Sequence, residues 1–149
     1  MTDHKPGFAD SEAYMLHEIV IRLDRRARTR SLNAHGLTYT EFLVMVAVRE
    51  LPDPSQSSVA DAFDFSASAV SQKVSSLLGK GLLTQRRDDE NRRIVRLSLT
   101  TAGDELLNKV YGELSACASE VFDTLGDRRP EFHAALTSLL TTLRELGDI

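Results

Sequence analysis

Arginine pairs at 86–87 and 92–93 flank the acidic cluster Asp88-Asp89-Glu90 in the stretch RRDDENRRIVRLSLTTAG, residues 86–103. Guanidinium groups gathered on a short connection suit contact with phosphates, or entry into a narrow groove where a nucleic acid's negative potential is strongest. Just upstream, SASAVSQKVSS (66–76) sets small hydroxyls and one amide at helical spacing, opposite Val70, Val74, Leu77 and Leu78. An almost uncharged face of that kind permits close approach to a groove and hydrogen bonding to base edges. Between Ser66 and Thr100 seven basic residues stand against three acidic ones, a net of +4 inside a chain of net charge −4. That asymmetry points to a polyanion. The candidate contacts are Ser66, Ala67, Ser68, Ser71, Gln72, Lys73 and Ser75 on the helix, with Arg92 and Arg93 at the connection.

These residues need elements to hold them, and the hydrophobic periods supply the elements. Asp10 or Ser11 can cap a first helix with Glu12 in its opening turn and a stripe of Leu16, Ile19, Val20, Leu23 and Ala27; Gly36 suits its left-handed end. Thr38 to Glu41 reads as a capping box, with Leu37 and Phe42 as its staple, opening an apolar helix that LPDPSQ stops. Ser58 with Asp61 offers a second capping box for a short helix carrying Val59 and Phe63. Ser66 caps the next helix and GKG closes it. The period then changes to two: Val95, Leu97 and Leu99 share one face, Ile94, Arg96 and Ser98 the other, with DDEN as the turn of a hairpin. Thr100 or Thr101 caps a long helix bearing Leu107, Val110, Leu114, Cys117, Val121 and Leu125, broken at Gly126. A last helix, with Pro130 in its first turn, carries Phe132, Leu136, Leu139, Leu140, Leu143 and Leu146.

A short helix, a tight turn, a longer helix with a polar outer face and a basic hairpin make a helix-turn-helix followed by a wing. The expected fold is therefore mainly α with a small β-hairpin wing. Residues 37–103 would form the DNA-binding lobe, and 1–36 with 104–149 a helical dimerisation region. One recognition helix rich in serine discriminates poorly, so two copies on paired half-sites are expected. The apolar stripes of the terminal helices, Leu136 to Leu146 above all, would supply the two-fold interface.

The segment SASAVSQKVSSLLGKGLLTQRRDDENRRIVRLSLTTAG resembles the recognition helix, wing and following helix entry of the multiple-antibiotic-resistance regulator (MarR) family, and the resemblance covers essentially the full chain. The family's wing motif, Asp-x-Arg, five residues, then Leu-Thr, reads here Asn91-Arg92-Arg93, five residues, Leu99-Thr100. The resemblance implies that Arg93 is the minor-groove arginine. Asn91 stands where aspartate is usual and Gln85 where arginine is frequent, so a neutral hydrogen bond is expected in place of a salt bridge bracing the wing. Gln72 stands where the family often has arginine, which favours adenine over guanine. The resemblance also implies a homodimeric regulator, a repressor of a nearby gene, with a small anionic or phenolic effector. Tyr14, His17, Tyr39 and Tyr111 are the positional candidates for that effector, although core packing is the stronger account of each.

Other classes fare worse. No catalytic spacing of Ser, His and Asp, no glycine-rich phosphate loop and no paired carboxylates stand out, so an enzyme is not expected. His4, His17, His35 and His133 show no ligand spacing, so neither a metal nor a cofactor is expected. Cys117 is the sole cysteine and sits on an apolar stripe, the place of a core residue rather than a redox sensor. The arginines at 22, 25, 26, 28 and 30 read as a solvated helix face. No run is apolar enough for a membrane span, and the opening MTDHKPGFADSEAY lacks the apolar core of a secretory signal, so a cytoplasmic location is expected. The alternative from another class is a winged-helix module that binds protein or sequesters a ligand without an operator.

Overall fold

The computed structural model describes residues 7–147; His4 and the first six residues of the opening segment lie outside that range. A 3-10 turn at Phe8–Asp10 leads to Ser11, whose Oγ accepts from the Tyr14 amide and caps α1 (Glu12–Arg30). Gly36, at φ 65°, closes a 3-10 turn (Leu32–His35) that follows α1, so the left-handed glycine ends this turn and not the helix itself.

The second helix, α2 (Tyr39–Glu50), starts as its sequence dictates. Thr38 Oγ1 accepts from the Glu41 amide while Glu41 Oε2 accepts from the Thr38 amide, and Leu37 and Phe42 are both buried. The next start differs from expectation. The N-cap of α3 (Gln56–Ala62) is Ser55, and Ser58 is the third residue of the helix, its Oγ accepting from the Ser55 amide. The reason is tertiary: Ser55 pairs with Arg96 in a β-bridge and the Pro54 carbonyl accepts from the Leu97 amide, which hold Ser55 extended as an N-cap must be.

Ser66 caps α4 (Ala67–Gly79), and Gly81 at φ 70° turns the chain into the hairpin. Its strands, β1 (Leu83–Arg87) and β2 (Val95–Leu99), pair antiparallel with Leu83 opposite Leu99 and Arg87 opposite Val95. The connection is therefore the seven residues 88–94, longer than DDEN alone, and Ile94, Arg92 and Arg93 lie in it rather than on a strand. Thr100 caps α5 (Thr101–Phe122): its Oγ1 accepts from the Gly103 amide and donates to the Gly81 carbonyl. The helix ends at Phe122, so Leu125 falls in a 3-10 turn (Asp123–Arg128) that bends at Gly126, and α6 (Arg129–Leu146) follows with Pro130 in its first turn.

The chain divides into two compact units, Met1–Leu114 and Ser115–Ile149. The core of the first draws on Leu32, α2, Val59, the inner stripe of α4 (Val70, Val74, Leu77), Leu83 and Leu97 of the hairpin, and Leu107 and Val110 of α5. Fully burying side chains of this kind contributes about 1.5–3 kcal/mol each, and this layer fixes α4 and the wing on one scaffold. In the second unit Cys117 is buried, and Phe122 packs on Phe132 with ring centroids 5.9 Å apart. Among the described residues no helix is long and apolar enough to cross a membrane.

Candidate nucleic-acid interface

The outward face of α4 follows from its inner one. With Val70, Val74 and Leu77 buried, the helical period turns Ser68, Ser71, Gln72 and Ser75 outward, and all four are exposed, as are Ser66 and Ala67 at the start. Lys73, three residues after Val70 and four before Leu77, lies beside the buried stripe and is half-buried. Ser76 was expected on the polar face but is turned inward, its Oγ donating to Glu41 Oε1 at 2.5 Å. The cause is Glu41, a carboxylate only 2% exposed that needs partners. It also accepts from the Thr38 amide at 2.8 Å and from Lys80 Nζ at 2.9 and 3.0 Å. Lys80 Nζ donates further to the Gly36 carbonyl at 2.7 Å. Burial pushes the Glu41 carboxyl up, but the Ser76 hydroxyl, the Thr38 amide and Lys80 together hold it below its ordinary value. The capping residue was legible in the sequence, whereas its lysine partner 39 residues away was not.

The wing is ordered by a carboxylate at Asp88, not at position 91. Asp88 Oδ1 accepts from the Glu90 and Asn91 amides, both at 2.9 Å, and Asp88 Oδ2 accepts from Arg96 Nε at 2.9 Å. The Asn91 amide, the Arg96 guanidinium and the Glu90 amide together lower the Asp88 carboxyl to about 2. Asn91 does form the neutral hydrogen bond expected of it, its Oδ1 accepting from the Arg93 amide at 3.2 Å. The ionic brace expected to be absent is present elsewhere, as Asp88 with Arg96. Arg87 donates to the Arg92 carbonyl at 2.9 Å, which fixes the far side of the tip.

This arrangement sorts the seven basic residues of the window. Lys80 and Arg96 are held by internal partners, Arg87 by a wing carbonyl, and Arg86 stands 3.9 Å from Asp89. Among the described residues no hydrogen bond or ion pair engages the side chains of Lys73, Arg92 or Arg93, so these remain available to an external anion. Arg93 also lines a cleft of about 620 Å³ between the wing and the start of α3, with Gln56, Ser57 and Asp61 among its other walls. Sequence reasoning missed these α3 residues, because their approach to the wing depends on the bridge at Ser55.

The positional candidates for an effector separate. Tyr14 and His17 border a shallow groove of about 200 Å³ on α1 with Arg22 and Arg25, whereas Tyr39 and Tyr111 do not line it. Tyr39 is half-buried against Phe42, and burial, with Asp24 second, raises its hydroxyl above the ordinary value. A further pair unseen in the sequence joins α5 to the turn after α1: Glu113 accepts from Ser31 Oγ at 2.5 Å and pairs with His35 Nε2 at 2.9 Å. The Ser31 hydroxyl first, then His35, lowers the Glu113 carboxyl. Among the described residues no group of three His, Cys, Asp or Glu side chains is placed to hold a metal ion.

Residues 35–94 match the model of the MarR family. The HTH-type transcriptional regulator MhqR of Bacillus subtilis is 24% identical over 102 residues, which are 68% of this chain and 70% of that protein. Of solved structures, the S. aureus MepR–DNA complex aligns with a TM-score of 0.76 at 20% identity over 89% of this chain and 98% of that one. The PcaV transcriptional regulator of Streptomyces coelicolor, in complex with its natural ligand, aligns with a TM-score of 0.77 at 17% identity over 96% and 98%. The mainly helical fold with a two-stranded wing is theirs as well.

Proposed function

The chain belongs to the MarR family, and from that premise we propose that it is a ligand-responsive repressor binding double-stranded DNA as a homodimer on a pseudo-palindromic operator. It is a transcriptional regulator of this family and not an enzyme. The observation that carries the DNA-binding reading is the pairing, within one compact unit, of an exposed uncharged face on α4 with wing-tip arginines whose side chains no partner among the described residues engages. In this reading Ser66, Ala67, Ser68, Ser71, Gln72 and Ser75 enter the major groove, Gln72 as the base reader. Lys73 and Arg92 meet phosphates, and Arg93 enters the minor groove. The lobe 37–103 binds DNA, and 1–36 with 104–149 pair the two copies in the cytoplasm.

Support for the dimer comes from apolar side chains that a single chain leaves in water: Leu16, Ile19 and Val20 on α1, and Leu139, Leu140, Leu143 and Leu146 on α6. Support for an effector is the likeness to ligand-bound PcaV, together with an α1 groove lined by Tyr14, His17 and Arg25, in which Arg22 is already paired with Glu18.

The test is selection of duplexes from a random pool by the full chain, followed by titration of the enriched duplex at several salt concentrations. Gln72→Ala is expected to cost about 1–3 kcal/mol at one base pair per half-site and to relax the preference there. Equal losses on every duplex variant would make Gln72 a positioning residue. Failure of the wild-type chain to enrich any duplex would leave the protein-binding or ligand-sequestering module in its place.

A further inference from the structure

The register of the wing sets Arg86 directly opposite Arg96. Like charges in directly opposed positions destabilise a two-stranded ladder, so Arg96 needs a compensating partner. It has three attachments. Its Nε donates to Asp88 Oδ2 at 2.9 Å, a second nitrogen donates to the Asp53 carbonyl at 2.6 Å, and its backbone forms the bridge to Ser55. Its side chain is only 24% exposed, against 60% for Arg86 across the ladder. Asp53 itself sits at φ 46°, a left-handed conformation that a non-glycine residue keeps only where its surroundings hold it. Beyond Arg96, Asp88 gathers the Glu90 and Asn91 amides, and Asn91 in turn holds the Arg93 amide. A continuous polar chain thus runs from the loop before α3, through one guanidinium, to the backbone of Arg93.

We propose that Arg96 is a positioning residue for DNA binding: it touches no nucleic acid, but locks the wing tip to the loop between α2 and α3 and so fixes where Arg93 is presented. This rests on the operator-binding reading above. A bound guanidinium with both ends occupied is poorly placed to serve a phosphate, and Asp88 beside it would repel one. The ordering also lowers the entropy that a mobile arginine would lose on entering a groove.

The experiment uses the full chain and the duplex that the wild type enriches from a random pool. Arg96→Ala is expected to weaken binding about tenfold, the equivalent of one charge-assisted hydrogen bond. Asp88→Asn is expected to weaken it similarly, although it removes a negative charge near the DNA. Arg96→Lys, which keeps the charge but cannot span both partners, should fall between Arg96→Ala and wild type. The double variant Arg93→Ala with Arg96→Ala should bind no more weakly than Arg93→Ala alone, because both remove the same contact. Without DNA, the Glu90 and Asn91 amides should exchange hydrogen faster in Arg96→Ala and Asp88→Asn while the amides of α4 keep their protection. Unchanged exchange at residues 90 and 91 overturns the lock. Unchanged or tighter binding by Asp88→Asn, with additive losses from Arg93→Ala and Arg96→Ala, overturns it in favour of direct phosphate contact by Arg96. A wild-type chain that enriches no duplex defeats the operator-binding reading and this proposal together. A duplex that responds to Arg93→Ala but not to Arg96→Ala defeats this proposal alone.

Discussion

A single hydrogen atom at Gly103 decides how closely α5 approaches the strand that begins the wing. A Cβ built there would stand 2.0 Å from the Leu82 carbonyl oxygen and 3.0 Å from its carbon. Both are backbone atoms, and that same carbonyl accepts from the Thr100 amide at 3.1 Å, so it has no freedom to withdraw. Gly103→Ala is therefore expected to destabilise the fold by about 3 kcal/mol, the upper end for overpacking, measured as a lower urea midpoint. Gly112 is the control: it lies on the same helix with nothing within 4 Å of its built Cβ, and alanine there should stabilise by about 0.5–1 kcal/mol through helix propensity. Equal responses at the two positions would sink the close-approach argument. The glycine three residues after Thr100 thus has a steric cause.

At the scale of elements, the buried Glu41 ties the start of α2 to the end of α4, because Ser76 and Lys80 both come from the latter. Its carboxyl is held below the ordinary 4.5, so the fold prefers the ionised form. That contribution is fully present above the unfolded-state value and is lost as pH falls through the lower native one. Glu41→Gln is expected to be less stable than wild type by about 2 kcal/mol at neutral pH. The gap should begin to narrow as pH falls below the unfolded-state value of about 4.3 and close only below the lower native one, where the wild-type carboxylate is protonated as well. Urea midpoints across that range check it; a gap that stays constant with pH would mean that glutamine is penalised for its shape and not its charge. The third helix teaches a related lesson. Its sequence pattern points to a start at Ser58, yet Ser55 is the cap because the hairpin holds it extended.

At the scale of the molecule, every residue of the main core belongs to the unit that ends at Leu114. The leucines of α6 lie in the other unit, and Leu139 and Leu143 are 52% and 58% exposed in the single chain. Charged substitution there should therefore spare the folding of the first unit. Leu139→Glu with Leu143→Glu is expected to convert the proposed dimer into a monomer by sedimentation at micromolar concentration, with the main unfolding transition retained. It should also weaken operator binding by far more than any single contact, because paired half-sites are lost. A double variant that still sediments as a dimer would remove α6 from the interface.

Local chemistry was enough for the sequence to determine the order of six helices and a hairpin, a cap of α1 at Asp10 or Ser11, the capping box at Thr38, the outward serines of α4 and the wing with its arginines. Caps and hydrophobic periods act within a few residues, so neighbouring letters carry them. The tertiary structure alone decided which charges are free. Lys80 and Arg96 carry the same formal charge in the sequence as Lys73 and Arg93, yet each ends on a carboxylate in the fold. Lys80 finds Glu41 from 39 residues away, and Arg96 reaches the Asp53 carbonyl from 43. Such partners are chosen by where the buried apolar stripes bring the chain together, because a carboxylate or carbonyl leaving water takes the nearest available donor. That choice also moved the cap of α3 to Ser55 and lengthened the wing connection to residues 88–94.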